Sequence, residues 1–225
     1  ARHINRLDAY ADADAFCCEE SIKTLRQEGY TGALEWINKF KDQKNGVGKP
    51  LPQVLKRAHM YWYELKDDEI AEFFTMMNPN QRLFFAKFET PSFVNQRLIG
   101  MRHKSEYEDR ELNHALLNSM FTMLCIEASG FGRGLGVLDV NKDSISKCYM
   151  FNPKLLSKEK RDNIVFTFQK LKARDIKNVS EELFQHDRIE FERTVLHSFG
   201  LDDYFDKIRQ SLLSMQKTRA TAREV

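Results

Sequence analysis

Apolar residues recur at three-and-four spacing in the second half of the chain, the signature of helices with one buried face. Leu112, Leu116, Ser119 or Met120, Met123 and Ile126 predict a helix over about 108–128 that ends at Gly130. Ser157 is placed to cap a helix running to about Ala173, with Ile164, Phe168 and Leu171 inward. A further helix spans 180–199 and stops at Gly200, and a last one carries Phe205, Ile208, Leu212 and Met215. Nearer the start, the Ala-rich stretch 8–25 has few breakers and reads as helical. Thr31 is placed to cap a second helix with Leu34, Ile37 and Phe40, and Asp67 or Asp68 a short one through Phe74. Residues 83–88 and 93–101, rich in aromatic and branched side chains, read as two strands. Thr90, Pro91 and Ser92 make the turn of a hairpin between them. Short strands follow at 137–140 and 144–152.

The pattern predicts an α+β fold: a small mixed or antiparallel β core flanked by helices, with a helical C-terminal third. The Gly- and Pro-bearing loop 45–52 is the clearest boundary. It separates a helical lead-in (1–50) from an α/β region (51–155), which a helical region (156–225) follows.

Composition narrows the classes. Of 225 residues, 42% are hydrophobic and 30% charged, enough for a sizeable core. The net charge is only +2, so any attraction to nucleic acid rests on local clustering of Lys and Arg. There is no run of eighteen apolar residues and no signal-peptide pattern, so a cytoplasmic protein without a membrane span is expected. Cys17, Cys18, Cys125 and Cys148 lack the short-spaced pairing of a zinc site and read as reduced thiols.

Catalytic motifs are missing from the sequence. Asn78-Pro79-Asn80 and Asn152-Pro153-Lys154 lack the second Pro and the aromatic of a base-holding loop and read as turns. Gly132, Gly134 and Gly136 follow a predicted helix and precede a strand, the reverse of a dinucleotide loop. The six histidines are scattered, and Asp202 and Asp203 sit where a helix begins. No catalytic, cofactor-binding or metal-binding residue is therefore assigned.

Binding residues are easier to find. Asn95, Gln96 and Arg97 interrupt an apolar stretch, and Arg102, His103 and Lys104 follow it. Arg matches the acceptor pair on guanine, and Asn or Gln matches the adenine edge. Arg133 lies in the glycine-rich turn with Lys142 and Lys147 beyond it, placed to neutralise phosphates. Two basic groups follow, Lys154, Lys158, Lys160 and Arg161, then Lys170, Lys172, Arg174 and Lys177. Solvated helix faces account for much of both, with phosphate contact as the alternative. Trp62 and its neighbouring tyrosines read as core or interface.

The order of several motifs resembles the target recognition domains of N6-adenine-specific DNA methyltransferases. Tyr61-Trp62-Tyr63 opens the block, with Arg82 and Asn95-Gln96-Arg97 around the strand pair. Leu116-Leu117-Asn118-Ser119, the glycine turn, the strand at 137–140 and Phe151-Asn152-Pro153 follow. Arg188-Ile189-Glu190-Phe191, Phe199-Gly200-Leu201 and the end of the last helix, with Arg219 and Ala222, are similar to the family's tail. The resemblance covers about three-quarters of the chain. It implies a domain that reads double-stranded DNA, mainly through the major groove, for restriction-modification or related phage defence. The catalytic domain and its S-adenosylmethionine would lie outside this chain, covalently linked or separate. The alternatives are a separate DNA specificity subunit that pairs with a methyltransferase chain, and a metal-dependent nuclease.

Overall fold

The computed structural model describes residues 4–65, 70–104, 109–133 and 136–221. Asp67, Asp68, Gly134 and Ala222 lie outside the described residues, as does the side chain of Arg133. The chain divides into two compact units, Asp12–Ile70 and Ala1–Ala11 with Ala71–Val225.

The smaller unit holds α1 (Ile22–Gln27), α2 (Thr31–Phe40) and α3 (Leu51–Val54). Leu25, Ile37 and Tyr63 form its buried centre, and Phe16 stacks on Trp36 at 4.2 Å. The Tyr63 hydroxyl donates to Glu20 O at 2.9 Å. Trp62 packs against this centre, in line with a core role. The expected helix over 8–25 does not form. Its alanines supply propensity but no apolar stripe to bury, and such a segment gains nothing from packing as a helix. Helix begins only at Ile22, where the Ser21 hydroxyl accepts from Thr24 N at 3.0 Å. Thr31 opens α2 without capping it, because Tyr30 occupies the cap position. The 45–52 loop lies inside this unit, held by Asn45 Oδ1, which accepts from Val47 N and Lys49 N.

The larger unit is built on a four-stranded sheet of order β1-β3-β2-β4, from Asp8–Ala9 (β1), Ile70–Met76 (β2), Ala86–Phe93 (β3) and Leu98–Met101 (β4). β1 runs parallel to β3, and β4 runs antiparallel to β2 with Phe73 opposite Met101. Two expectations are corrected here. The helix through Phe74 is instead β2, whose residues 71–75 are all buried, as a central strand covered on both faces requires. The hairpin is also absent: Thr90, Pro91 and Ser92 lie within β3, and β2 separates β3 from β4. Pro91 is tolerated because β3 extends past the two-residue β1, so its missing N–H breaks no ladder on that edge.

The helix expected over 108–128 is two helices, α4 (Arg110–Leu117) and α5 (Met120–Ser129). Asn118 breaks it. Its Oδ1 accepts from Phe85 N and its Nδ2 donates to Phe85 O, both at 2.9 Å, which ties the break to the start of β3. Ser119 then caps α5. A two-stranded antiparallel hairpin follows, β5 (Phe131–Arg133) and β6 (Val137–Asp139). The strand expected over 144–152 is replaced by α6 (Lys142–Ser146), because Asn141 and Ser144 form a reciprocal capping box that starts a helix.

The C-terminal helices are α7 (Lys158–Lys172), α8 (Val179–Glu182), α9 (His186–Ser198) and α10 (Phe205–Thr221). Ser157 caps α7, and Ile164, Phe168 and Leu171 are fully buried, as predicted. The helix expected over 180–199 is split between α8 and α9. The protein is mixed α+β with helices at the C-terminus. Among the described residues no helix is long and apolar enough to cross a membrane.

Candidate nucleic-acid interface

The end of β4 points four residues of alternating chemistry at one cavity. Gly100 is obligatory in β4, since a Cβ there would come within 2.8 Å of Ala71 Cβ and 2.9 Å of Val94 Cγ2. This close packing holds the strand against β2 and delivers Met101, Arg102, His103 and Lys104 to a cavity of about 580 Å³. The 3-10 turn Pro153–Leu155 and the start of α7 close it from the other side with Lys154 and Arg161.

The floor is apolar: Phe73, Met101 and Leu117 from the core, and Phe151, which stacks on Phe199 at 4.4 Å. The rim is cationic. Arg102, Lys104 and Lys154 are exposed and form no ion pair among the described residues. Arg161 Nε donates to Leu156 O at 3.1 Å, which fixes the guanidinium without neutralising it. Among the described residues the one carboxylate in the lining is Asp109, which caps α4 by accepting from Leu112 N at 3.0 Å. The arrangement suits an anion that carries an apolar body.

The predicted binding residues divide into three groups. Arg102 and Lys104 stand on this rim. His103 is turned inward: Nδ1 lies 2.8 Å from Glu72 Oε2 and Nε2 lies 3.0 Å from Asn113 Nδ2. With Asn113 donating to Nε2, the network assigns the proton to Nδ1, facing Glu72. His103 thus lines the cavity with both ring nitrogens engaged by Glu72 and Asn113. Asn95, Gln96 and Arg97 are not in a strand at all. They form the exposed turn that leads into β4, held by Arg97 N donating to Asn95 Oδ1 at 2.8 Å. That turn lies at the far end of β4, with Arg97 roughly 16 Å from Arg102 at about 3.3 Å per residue.

Lys142 opens α6 and Lys147 caps its end, both exposed and outside the cavity lining, and Lys147 pairs with Asp143 at 2.6 Å. Arg133 closes β5 at the hairpin, beside the exposed Phe131. The described glycines around this hairpin differ, since only Gly130 serves packing and a Cβ at Gly132 would meet open space. At Gly130 a Cβ would meet Leu138 Cδ1 at 2.4 Å, and Gly136 has φ +71°. The run makes a hairpin, not a turn that opens a helix.

The two basic groups differ. In the second, Lys170 pairs with Glu190, Lys172 with Asp8 and Glu111, and Arg174 with Glu182 and Asp187. These charges are structural. The first group contributes Lys154 and Arg161 to the cavity. The excess of Lys and Arg over Asp and Glu in 144–174 was the only sequence signal for them, and it did not separate them from the paired lysines that follow.

The motif block is tied together by buried charges. Arg188 is fully buried and donates to Asn118 O at 2.7 Å, Glu182 Oε1 at 2.9 Å and Glu192 Oε1 at 3.1 Å. Glu192 accepts from Met120 N at 2.9 Å, so α9 grips both sides of the α4–α5 break. Burial pushes Glu192 up to about 7 against the pull of Arg188. Burial would also raise Glu182, but Arg174 and Arg188 hold it below the ordinary carboxylate range. At the other end, Arg219 of α10 engages Glu127 at 2.6 and 3.0 Å, Gly136 O at 2.5 Å and Asn80 O at 2.9 Å. It pins the glycine hairpin to the body of the unit.

No protein-family model matches the chain, and no curated protein and no solved structure matches it.

Proposed function

We propose that this chain is the DNA target-recognition part of a site-specific adenine-N6 DNA methyltransferase. Methyl transfer from S-adenosylmethionine belongs to a catalytic domain outside the chain. The observation that carries this reading is that the Phe151-Asn152-Pro153 motif of the block lines a cationic cavity together with the exit of β4. The strand exit at Arg102 and Lys104 and the block's exit at Asn152-Pro153 line the same cavity. The Leu-Leu-Asn-Ser break and the glycine hairpin between them are fixed by Arg188 and Arg219, the two arginines of the family-like tail.

In this arrangement Arg102, Lys104, Lys154 and Arg161 neutralise phosphates, and the exposed turn at Asn95, Gln96 and Arg97 offers amide and guanidinium groups to base edges. Phosphate contacts set position, and base contacts set sequence. Affinity for a pool of random duplexes is expected to fall linearly with salt on logarithmic axes. A chain with no salt-dependent affinity for duplex DNA sinks the proposal. On duplexes selected from that pool, Arg97→Ala is expected to reduce discrimination by about 1–3 kcal/mol, whereas a phosphate contact would weaken all sequences alike.

A further inference from the structure

The four cysteines are free thiols and fall into two unlike pairs. Cys17 and Cys18 are neighbours in the smaller unit, where each donates to nearby backbone, Ala15 O at 3.7 Å and Glu20 O at 3.9 Å. An unstrained disulfide needs Cα atoms about 4.4–6.8 Å apart, and adjacent residues stand about 3.8 Å apart. Cys125 and Cys148 are distant in sequence and meet in the fold. Cys125 lies on α5, and Cys148 follows α6.

The Cys148 thiol lies 3.7 Å from Ser129 Oγ and 3.4 Å from Ser144 O. Ser129 stands one turn beyond Cys125 on the same face of α5, with Cβ atoms about 5–6 Å apart by helix geometry. The backbone N–H of Tyr149, the residue after Cys148, donates to the Cys125 sulfur. One turn of α5 therefore holds the Cys148 sulfur at one end and the Cys148–Tyr149 backbone at the other. Cys125 is close enough to feel charge on Cys148, and both thiols are half-buried.

We propose that Cys125 and Cys148 form a redox site, which hydrogen peroxide converts to a reversible disulfide that ties α5 to the segment after α6. Cys125 loses its proton and attacks a peroxide oxygen. The O–O bond breaks, and the departing hydroxide takes up that proton as water, leaving a sulfenic acid on Cys125. The Cys148 sulfur then attacks the sulfenic sulfur. The S–S bond forms, the S–O bond breaks, and the hydroxyl leaves with the Cys148 proton as a second water. Two thiols are oxidised, and one peroxide is reduced to two waters. The Tyr149 N–H supports negative charge on Cys125, which makes it the attacking sulfur. Burial pushes both thiols up, so the pair keeps its protons at neutral pH and answers sustained rather than trace peroxide.

The disulfide closes a loop that contains the β5–β6 hairpin and α6. It also fixes the start of the segment that carries Phe151 and Lys154 to the cavity. The inference stands independently of the DNA reading.

The test exposes the full chain to hydrogen peroxide, caps remaining thiols with N-ethylmaleimide and digests it without reductant. Mass spectrometry should find the Cys125 and Cys148 peptides joined with the loss of two hydrogens, and dithiothreitol should separate them. The oxidised chain should melt about 5 °C or more above the reduced one, because the closed loop restricts the unfolded state. Cys148→Ser should lose both the cross-link and the rise in Tm, whereas Cys17→Ser/Cys18→Ser should keep both. Maleimide on Cys125 and Cys148 after peroxide has oxidised Cys17 or Cys18 overturns the site. Pairing of either residue with Cys17 or Cys18 overturns it too. A cross-link that leaves Tm unmoved overturns the tie between α5 and the segment after α6.

Discussion

Two sets of arginines in the larger unit behave in opposite ways. Arg188 is fully buried, and Arg219 has a side chain only 11% exposed; each is matched to carboxylates and backbone carbonyls. Arg102 and Arg161 stand at the rim of a cavity, and neither has a carboxylate partner among the described residues. The first pair holds the motif block together, and the second pair presents charge to something outside the chain. Nothing in the residue type separates them. What separates them is whether a carboxylate from a distant part of the chain arrives at the same point.

The largest test of this contrast is Arg188→Ala. It leaves Glu182 and Glu192 buried without their shared cation and removes the donor to Asn118 O. Loss of one partner of a buried ion pair costs about 3–5 kcal/mol, so chemical denaturation should show a loss of that order. A change below about 1 kcal/mol would place Arg188 among the dispensable charges and break the comparison.

A somewhat smaller effect is expected from acid. His114 is buried on α4, with Nε2 donating to Phe85 O at 2.8 Å and Nδ1 without a partner among the described residues. Burial lowers its pKa from 6.5 to about 4, so the folded state holds it neutral. A depressed folded pKa means that the unfolded chain binds the extra proton first. The stabilisation is present above pH 6.5 and is lost as pH falls towards 4, on the order of 3 kcal/mol in all. Denaturation midpoints at pH 7.5 and 5.0 measure this, with His114→Gln as the non-titrating control. Equal pH sensitivity in the two proteins would remove His114 as the cause.

The smallest expected change in stability is at the rim itself. Arg161→Ala should stay within about 0.5 kcal/mol of the parent in denaturation while lowering the salt slope of DNA binding by about one. A large loss of stability would mean that Arg161 belongs with Arg188 and not with Arg102.

The candidate surface was partly legible in the sequence. Arg102 and Lys104 stood out because they follow an apolar stretch, and they do reach the cavity. His103, between them, carried the same signal and faces inward, because alternation along an extended segment sends neighbouring side chains to opposite sides. Asn95, Gln96 and Arg97 were found as polar residues inside an apolar run. Three polar residues in a row are better explained by a turn, and the Asn95 side chain closes it. Lys154 and Arg161 carried no signal that distinguished them from Lys170, Lys172 and Arg174, whose partners Glu190, Glu111 and Glu182 come from other segments.

Elements and their ends were set locally. Ser157 and Ser21 start helices through their own hydroxyls, the Ile164, Phe168 and Leu171 stripe gives α7 its buried face, and Gly200, at φ +70°, ends α9. Caps and periodicity act over a few residues, so the sequence by itself determined an α+β chain with a helical C-terminal third. Tertiary structure decided the strand order, the break at Asn118 and the division of cations into framework and rim. Each depends on groups far apart in the chain: Phe85 with Asn118 across 33 residues, Arg188 with Asn118 across 70, and Arg219 with Glu127 across 92. A charge or an amide carries no local mark of the partner it will meet, and only the folded chain brings that partner within reach.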